Sequence, residues 1–129
     1  MKHREYELQK SLCQYLEAQY KDVLFVSDTI GNIKLTKGQA GRNKAIQKQG
    51  FKTPDLLILE PNSRYSGLFI EIKNTFDDVF TKREKKLKNE HVKAQHESIL
   101  RLREKGYFAC FGIGLDDCIE IIDNYMNIE

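Results

Sequence analysis

Two acidic side chains and one lysine are predicted to meet at one edge of a β-sheet. The strand-like runs 55–59 and 67–73 are joined by a turn-forming segment rich in Asn and Ser, and together they predict a β-hairpin. In an antiparallel pair, the start of the first strand lies beside the end of the second, so Asp55 is expected near Glu71 and Lys73. Glu71 and Lys73 are two residues apart and therefore share a face of their strand.

This set of groups predicts a divalent metal site. Two convergent carboxylates, with the backbone carbonyl of Ile72 between them, are hard oxygen ligands of the kind that Mg²⁺ or Mn²⁺ prefers. The ammonium group of Lys73 can position or deprotonate a water, or stabilise charge that develops on a phosphate. A simpler interpretation is a salt bridge between Glu71 and Lys73 at the strand end.

The first predicted helix, residues 5–20, turns polar groups toward the sheet. Leu8 and Leu12 mark its apolar stripe. At 100° per residue, Glu5 is nearly eclipsed with Leu12, and Gln9 shares the same face. The amino-terminal end of the buried stripe is therefore polar.

The second predicted helix, residues 89–105, also turns a polar side chain toward the sheet, in this case the amide of Gln95. Gln95 shares a stripe with Val92 and Ile99, and His91 extends the polar end of that stripe. Each of these polar groups can instead satisfy backbone groups of nearby loops, and that alternative stays open.

The remaining pattern predicts a mixed sheet with helices on both sides. Residues 23–26 and 107–111 are strand-like, and Asp116 is expected to cap a last helix. The last strand is expected to run parallel to its neighbour through a helical crossover. Residues 28–53, which include four glycines, are interpreted as a long functional connection.

Composition describes one globular domain spanning residues 1–129. The chain is 40% hydrophobic and has no Trp, and it shows no repeat or linker that would mark a boundary. The charged start lacks the apolar core of a signal peptide, and no apolar run is long enough to cross a bilayer. We therefore expect a cytoplasmic protein. The odd number of cysteines favours small core residues over a disulfide framework: Cys13, Cys110 and Cys118.

Charge is unevenly distributed along the chain, although the formal net charge is only +2. No acidic residue occurs from Thr29 to Pro54, residues 82–93 form a second basic block, and the carboxyl-terminal tail is acidic. Such sorting suits a polyanion such as nucleic acid, although charged runs can also be plain solvated faces. The first block contains Lys34, Lys37, Arg42, Lys44, Lys48 and Lys52.

In this combination the sequence resembles the PD-(D/E)xK nuclease superfamily, and within it the small stand-alone VRR-NUC domains often encoded by phages and bacteria. The resemblance covers nearly the whole chain. One departure is Thr53, because many relatives have Gly-Val-Pro-Asp or Gly-x-Pro-Asp where this chain has Lys-Thr-Pro-Asp. The matching parts are residues 5–9, 50–58 and 67–73, Gln95 with Leu102, and residues 106–108 before Gly114.

The resemblance implies an α/β fold with a restriction-endonuclease-like αβββαβ core, a mixed sheet flanked by helices, and a homodimer. It further implies that Asp55 and Glu71 bind Mg²⁺ or Mn²⁺ together with the Ile72 carbonyl. The function implied is that of a metal-dependent DNA endonuclease, selective for branched, flap or junction DNA.

The other implied roles follow from matching positions. Lys73 would activate the water, Gln95 would orient water or substrate, and Glu5 would support the site from the first helix. DNA would be held mainly through its phosphates, with strong salt dependence. The residues expected to do this are Lys37, Arg42, Lys44 and Lys48.

Two alternative functions remain open, a non-catalytic nucleic-acid-binding module of the same fold and a related ribonuclease. Two other motifs are rejected. The glycine-containing segment 38–44 lacks the Gly-Lys-Ser/Thr ending of a phosphate loop. His91 and His96 lie about 140° apart around a helix, so they cannot chelate one zinc ion.

Overall fold

The computed structural model describes residues 2–28, 34–83 and 86–129. Parts of the predicted connection (29–33) and of the second basic block (84–85) lie outside the described residues. A short 3₁₀ helix, Phe76–Asp78, follows the third strand. The other elements are α1 (Lys2–Gln19), β1 (Phe25–Ser27), α2 (Lys37–Ala45), β2 (Leu56–Ile58), β3 (Leu68–Lys73), α3 (Glu90–Glu104), β4 (Phe108–Ile113) and α4 (Leu115–Met126).

The sheet is mixed, with strand order β1-β2-β3-β4. β2 is antiparallel to both β1 and β3, whereas β3 and β4 are parallel. The predicted hairpin and the predicted parallel crossover through α3 are therefore confirmed. Leu56 pairs with Ile70, so Asp55, one residue earlier, falls beside Glu71.

Both faces of the sheet are covered, because β3 alternates between two cores. Leu68, Ile70 and Ile72 pack with residues of α1 and α4. Phe69 packs on the other face against residues of α3, including Ile99. Since the side-chain period of a strand is two, Glu71 shares the α3 face with Phe69.

The helix after the second basic block forms as predicted, with α3 occupying Glu90–Glu104. The Asn89 side chain caps it by accepting a hydrogen bond from the Val92 backbone N–H at 2.9 Å. Gly106 follows the helix with φ +95°, a conformation that favours glycine. Within the part of the chain that the structure describes, no helix has the length and apolar character needed to cross a membrane.

The predicted start of the last helix was wrong. Gly114, with φ +84°, occupies the cap position, and α4 begins at Leu115, so Asp116 lies within the first turn. The neighbouring Asp117 carboxylate accepts a hydrogen bond from the Ile113 backbone N–H at 2.9 Å. A turn at Gly114, in a conformation that favours glycine, therefore takes the place of the expected side-chain cap.

The predicted long connection contains a helix, α2. Thr36 and Gln39 form a capping box, in which the Gln39 backbone N–H donates to Thr36 Oγ1 at 3.2 Å and the Thr36 backbone N–H donates to Gln39 Oε1 at 3.0 Å. The spacing of these two residues is the signal that would have predicted the helix. Since α2 buries no residue, it lacked the apolar stripe on which the other helix predictions depended.

Candidate active site

The structure brings Asp55 and Glu71 together at the edge of the sheet. The Asp55 backbone N–H donates to Glu71 Oε2 at 3.1 Å, and the Ile72 backbone N–H donates to Asp55 Oδ2 at 2.9 Å. Each carboxylate thus accepts a hydrogen bond from the backbone of the other strand. The hairpin fixes both acids on rigid backbone, with the Ile72 peptide between them.

Glu71 is a buried acid beside another acid. It is 5% exposed. The pKa of Glu71 is raised to about 9, mainly by burial and then by the hydrogen bond and charge of Asp55, while Lys73 opposes the shift. Without a cation, charge on this carboxylate is therefore strongly disfavoured.

Gln95 connects α3 to this acid. Its Nε2 donates to Glu71 Oε1, and the residue is 8% exposed. The other amide atom, Gln95 Oε1, is buried and has no hydrogen-bond partner among the described residues. An acceptor of this kind can receive a hydrogen bond from water.

Gln9 holds the backbone on which Asp55 lies. Its Nε2 donates to Ser27 Oγ at 2.6 Å, to the Asp28 carbonyl at 3.0 Å and to the Asp55 carbonyl at 3.4 Å. α1 is thereby fixed to the ends of β1 and β2. The sequence predicted that Gln9 lies on the buried stripe but assigned it no role. A polar side chain on an otherwise apolar stripe was the available sign that this residue makes buried hydrogen bonds.

Glu5 and Lys73 complete the polar cluster, and both are half-buried. Burial is the main cause that raises the pKa of Glu5; Asp55 adds to the shift and Lys73 opposes it. The ion pair found among the described residues joins Glu90 and Lys93 at 3.2 Å, so the simpler interpretation of a salt bridge between Glu71 and Lys73 is not what the structure shows.

These side chains line one polar cleft of about 430 Å³. His91, one turn before Gln95, also lines it, and sequence reasoning gave this residue no function. Burial, followed by the charges of Lys52 and Lys73, lowers the pKa of His91. The lining residues are Glu5, Gln9, Asp28, Lys52, Thr53, Asp55, Glu71, Lys73, His91 and Gln95.

The four predicted DNA-binding residues lie on and just after α2. Lys44 and Lys48 line a groove of about 710 Å³ between α2 and α3, and this groove shares Lys52 with the polar cleft. Lys37 and Arg42 line neither space. The structure therefore places two of the four beside the cleft.

The available ligands fit Mg²⁺ or Mn²⁺, which keep several waters, better than they fit a metal whose whole coordination shell comes from protein side chains. In residues 2–28, 34–83 and 86–129, no group of three or more His, Cys, Asp or Glu side chains forms a metal cluster. Asp55 and Glu71 supply two carboxylates, and Ile72 supplies a carbonyl. Mg²⁺ is commonly bound through one or two carboxylates, with waters and substrate phosphates completing its shell.

Comparison with known proteins identifies the fold. A solved structure described as "VRR_NUC domain protein" aligns with a TM-score of 0.63 and 24% sequence identity, covering 96% of this chain and 88% of that chain. No family model matches the sequence, and no curated protein matches it. The chain has the fold of a VRR-NUC domain, which confirms the predicted resemblance and the mixed α/β architecture at the level of fold.

Proposed function

We propose that the protein is a metal-dependent DNA endonuclease that hydrolyses phosphodiester bonds, with selectivity for branched, flap or junction DNA. The observation that carries this proposal is the pairing of Asp55 and Glu71, each bonded to the other's strand, in a cleft that also contains Lys73. A buried acid beside a second acid costs stability unless a cation neutralises the charge, and a nuclease needs that cation for its chemistry.

Asp55, Glu71 and the Ile72 carbonyl would hold Mg²⁺ or Mn²⁺. When bound, the ion would supply Lewis acidity and lower the pKa of a coordinated water. Lys73 would contribute a positive charge that stabilises the extra charge on the phosphate during attack, and would hold or deliver a proton at its Nζ.

The other side chains would orient reactants rather than react. Gln95 has one amide atom bonded to Glu71 and a second, Oε1, still able to accept a hydrogen bond, which suits it to orient the attacking water. Glu5 would support the cluster from α1. Lys44 and Lys48 would hold phosphates beside the cleft, so the preference would be for shape rather than sequence.

A cleavage panel tests this function. Four-way junction, flap, single-stranded and duplex DNA are incubated with protein and Mg²⁺ or Mn²⁺. We expect nicking of branched or flapped DNA, and we expect Asp55→Asn and Lys73→Met each to reduce it at least about a hundredfold while leaving binding largely intact. RNA versions of the same substrates test the ribonuclease alternative.

Asp22→Asn is the matched control, because Asp22 is exposed and does not line the polar cleft. It should cut at the wild-type rate. Unchanged cutting by both Asp55→Asn and Lys73→Met would reject the nuclease assignment, and binding without any metal-dependent cutting would favour the non-catalytic module.

We also propose that the protein works as a homodimer in the cytoplasm. One site of this kind cuts one strand, so paired cuts need two subunits. Leu24, just before the edge strand β1, is 69% exposed, and Val26 within that strand is 52% exposed, which gives apolar surface for such contact. Sedimentation at several concentrations should show a species of about twice the 15.1 kDa chain mass; a monomer throughout would reject the dimer.

A further inference from the structure

The groove between α2 and α3 has the composition of a binding site for unpaired nucleotides. It joins the polar cleft through Lys52, and it has a volume of about 710 Å³. Lysines, an aromatic ring and side-chain amides line it. These residues include Lys44, Lys48, Lys52, Phe51, Gln47 and Gln49.

The floor of the groove is fixed to α3. The Lys52 backbone N–H donates to the buried Ser98 Oγ at 2.9 Å, and Arg101 Nη1 donates to the Gly50 carbonyl at 3.2 Å. The Arg101 guanidinium lies 6.0 Å from the centre of the Phe51 ring. Phe51 is half-buried against the core on the α3 face, so its ring is held in place while it lines the groove.

The opposite wall, α2, is not explained by packing. It buries no residue, and its first turn is closed by its own capping box. Residues 34–54 contain no acid, and Gln47 Nε2 donates to Asn43 Oδ1 at 3.1 Å on the exposed surface. A basic helix that buries nothing beside a polar cleft is suited to contact an anionic ligand.

These groups match the parts of a nucleotide. Lysine ammonium groups bind phosphates, an aromatic ring stacks on any base, and amides accept and donate hydrogen bonds at base edges. Glu97, the acidic residue of the groove, can accept from a base amino group. A base inside a duplex has both faces stacked, so a protein ring can receive it only when it is unpaired.

We propose that this groove binds an unpaired nucleotide of the substrate strand next to the scissile phosphate. The base stacks on Phe51, and the neighbouring phosphates contact Lys48 and Lys52. This inference rests on the proposed function, because that function supplies the ligand class, nucleic acid. An unpaired nucleotide is present in a flap or junction and absent from a plain duplex.

Binding without cutting tests the groove. Fluorescein-labelled flap DNA carrying a single abasic position, moved one nucleotide at a time, is titrated with protein in buffer containing EDTA, and Kd is read from anisotropy. With wild-type protein, we expect Kd to rise about tenfold when the abasic position reaches the groove and little elsewhere. Phe51→Leu should bind intact DNA about tenfold more weakly and should show no further loss at that position.

Phe111→Leu is the matched control, because Phe111 packs against the same core as Phe51 but does not line the groove. It should keep the wild-type Kd and the wild-type abasic profile. A flat abasic profile with wild-type protein would overturn the proposal without any variant. Equal abasic losses in wild type and Phe51→Leu would also overturn it.

The two proposals fail separately. DNA binding that depends on Phe51, with no cleavage under any metal condition, would reject the nuclease function and support the groove. Cleavage by wild-type protein with binding that ignores both Phe51 and the abasic position would reject the groove alone.

Discussion

At the scale of single residues, Glu71 is costly to the fold, because it is a buried acid beside a second acid, Asp55. Its two oxygens accept hydrogen bonds from Gln95 and from the Asp55 backbone. These bonds satisfy its polar atoms, but they do not remove the cost of burying an acid next to Asp55. A cation held between the two acids, as the proposed function requires, would offset that cost.

Replacing this acid should therefore stabilise the metal-free protein. Glu71→Gln keeps the shape and lets Gln95 turn its free Oε1 toward the new amide, and we expect the free energy of unfolding in EDTA to rise by about 1 kcal/mol. The measurement is urea unfolding followed by circular dichroism. Added Mn²⁺ should stabilise the wild type and not this variant.

Glu120→Gln is the control for that comparison, because Glu120 is exposed on α4. It should unfold like the wild type with and without Mn²⁺. A Glu71→Gln protein that is less stable than wild type in EDTA would contradict the view that Glu71 is a cost to the fold.

Two cysteines should be chemically silent in the folded protein. Burial is the main cause that raises the pKa of both Cys110 and Cys118 to about 12. Because almost none of either thiol is ionised at pH 8, we expect iodoacetamide to label these residues much more slowly in the folded protein than in urea. Mass spectrometry of peptides from native and urea-unfolded protein measures this; rapid native labelling of Cys118 would contradict it.

At the scale of elements, α4 approaches β4 closely because Gly112 has no side chain. A Cβ at that position would lie 2.5 Å from Cys118 Sγ and 2.8 Å from Ile70 Cγ2. Such distances are below normal contact, so the helix and strand would have to separate. The glycine sets how near α4 lies to the sheet.

Gly112→Ala should therefore destabilise the fold by about 2 kcal/mol in urea unfolding. Adding Cys118→Ala removes the sulfur and should recover part of that loss, while the contact with Ile70 remains. Gly41→Ala is the control, since nothing lies within 4 Å of a Cβ at Gly41 in α2, and it should not lower stability. Full additivity of the Gly112 and Cys118 effects would contradict a direct contact between them.

At the scale of the whole molecule, a basic groove leads into the acidic cleft. The lysines of α2 and of the segment after it line the groove that leads to Asp55 and Glu71 through Lys52. A polyanion drawn to that side would meet the acid pair with its phosphates, which a cation would then bridge.

Replacing Lys44 and Lys48 together by Ala should weaken DNA binding to a similar extent for every sequence. The slope of log K against log salt should fall in magnitude by about 1 to 2, as expected when one or two phosphate contacts are lost. Anisotropy titrations at several salt concentrations measure it. Lys105→Ala, at the exposed end of α3, should keep the wild-type slope, and a loss confined to one DNA sequence would contradict phosphate binding.

Much of the site could be predicted from the sequence, because the direction of a side chain on a strand or helix depends only on residues a few positions away. Alternation in two strands and a turn between them were enough to place Asp55 beside Glu71, and helical spacing was enough to turn Glu5, Gln9 and Gln95 inward. The assignment of Gly106 as a helix end likewise needed only its neighbours. The roles of these residues in catalysis stay predictions.

Only the tertiary structure decided which groups are partners. The sequence alone determined that Gln9 and Gln95 face inward, but not that Gln9 holds the Asp55 backbone or that Gln95 bonds to Glu71. It also did not show that α2 is a wall of a groove. Hydrogen bonds between residues distant along the chain depend on how helices pack on the sheet, and a periodic pattern fixes the direction of a side chain without fixing what it meets there.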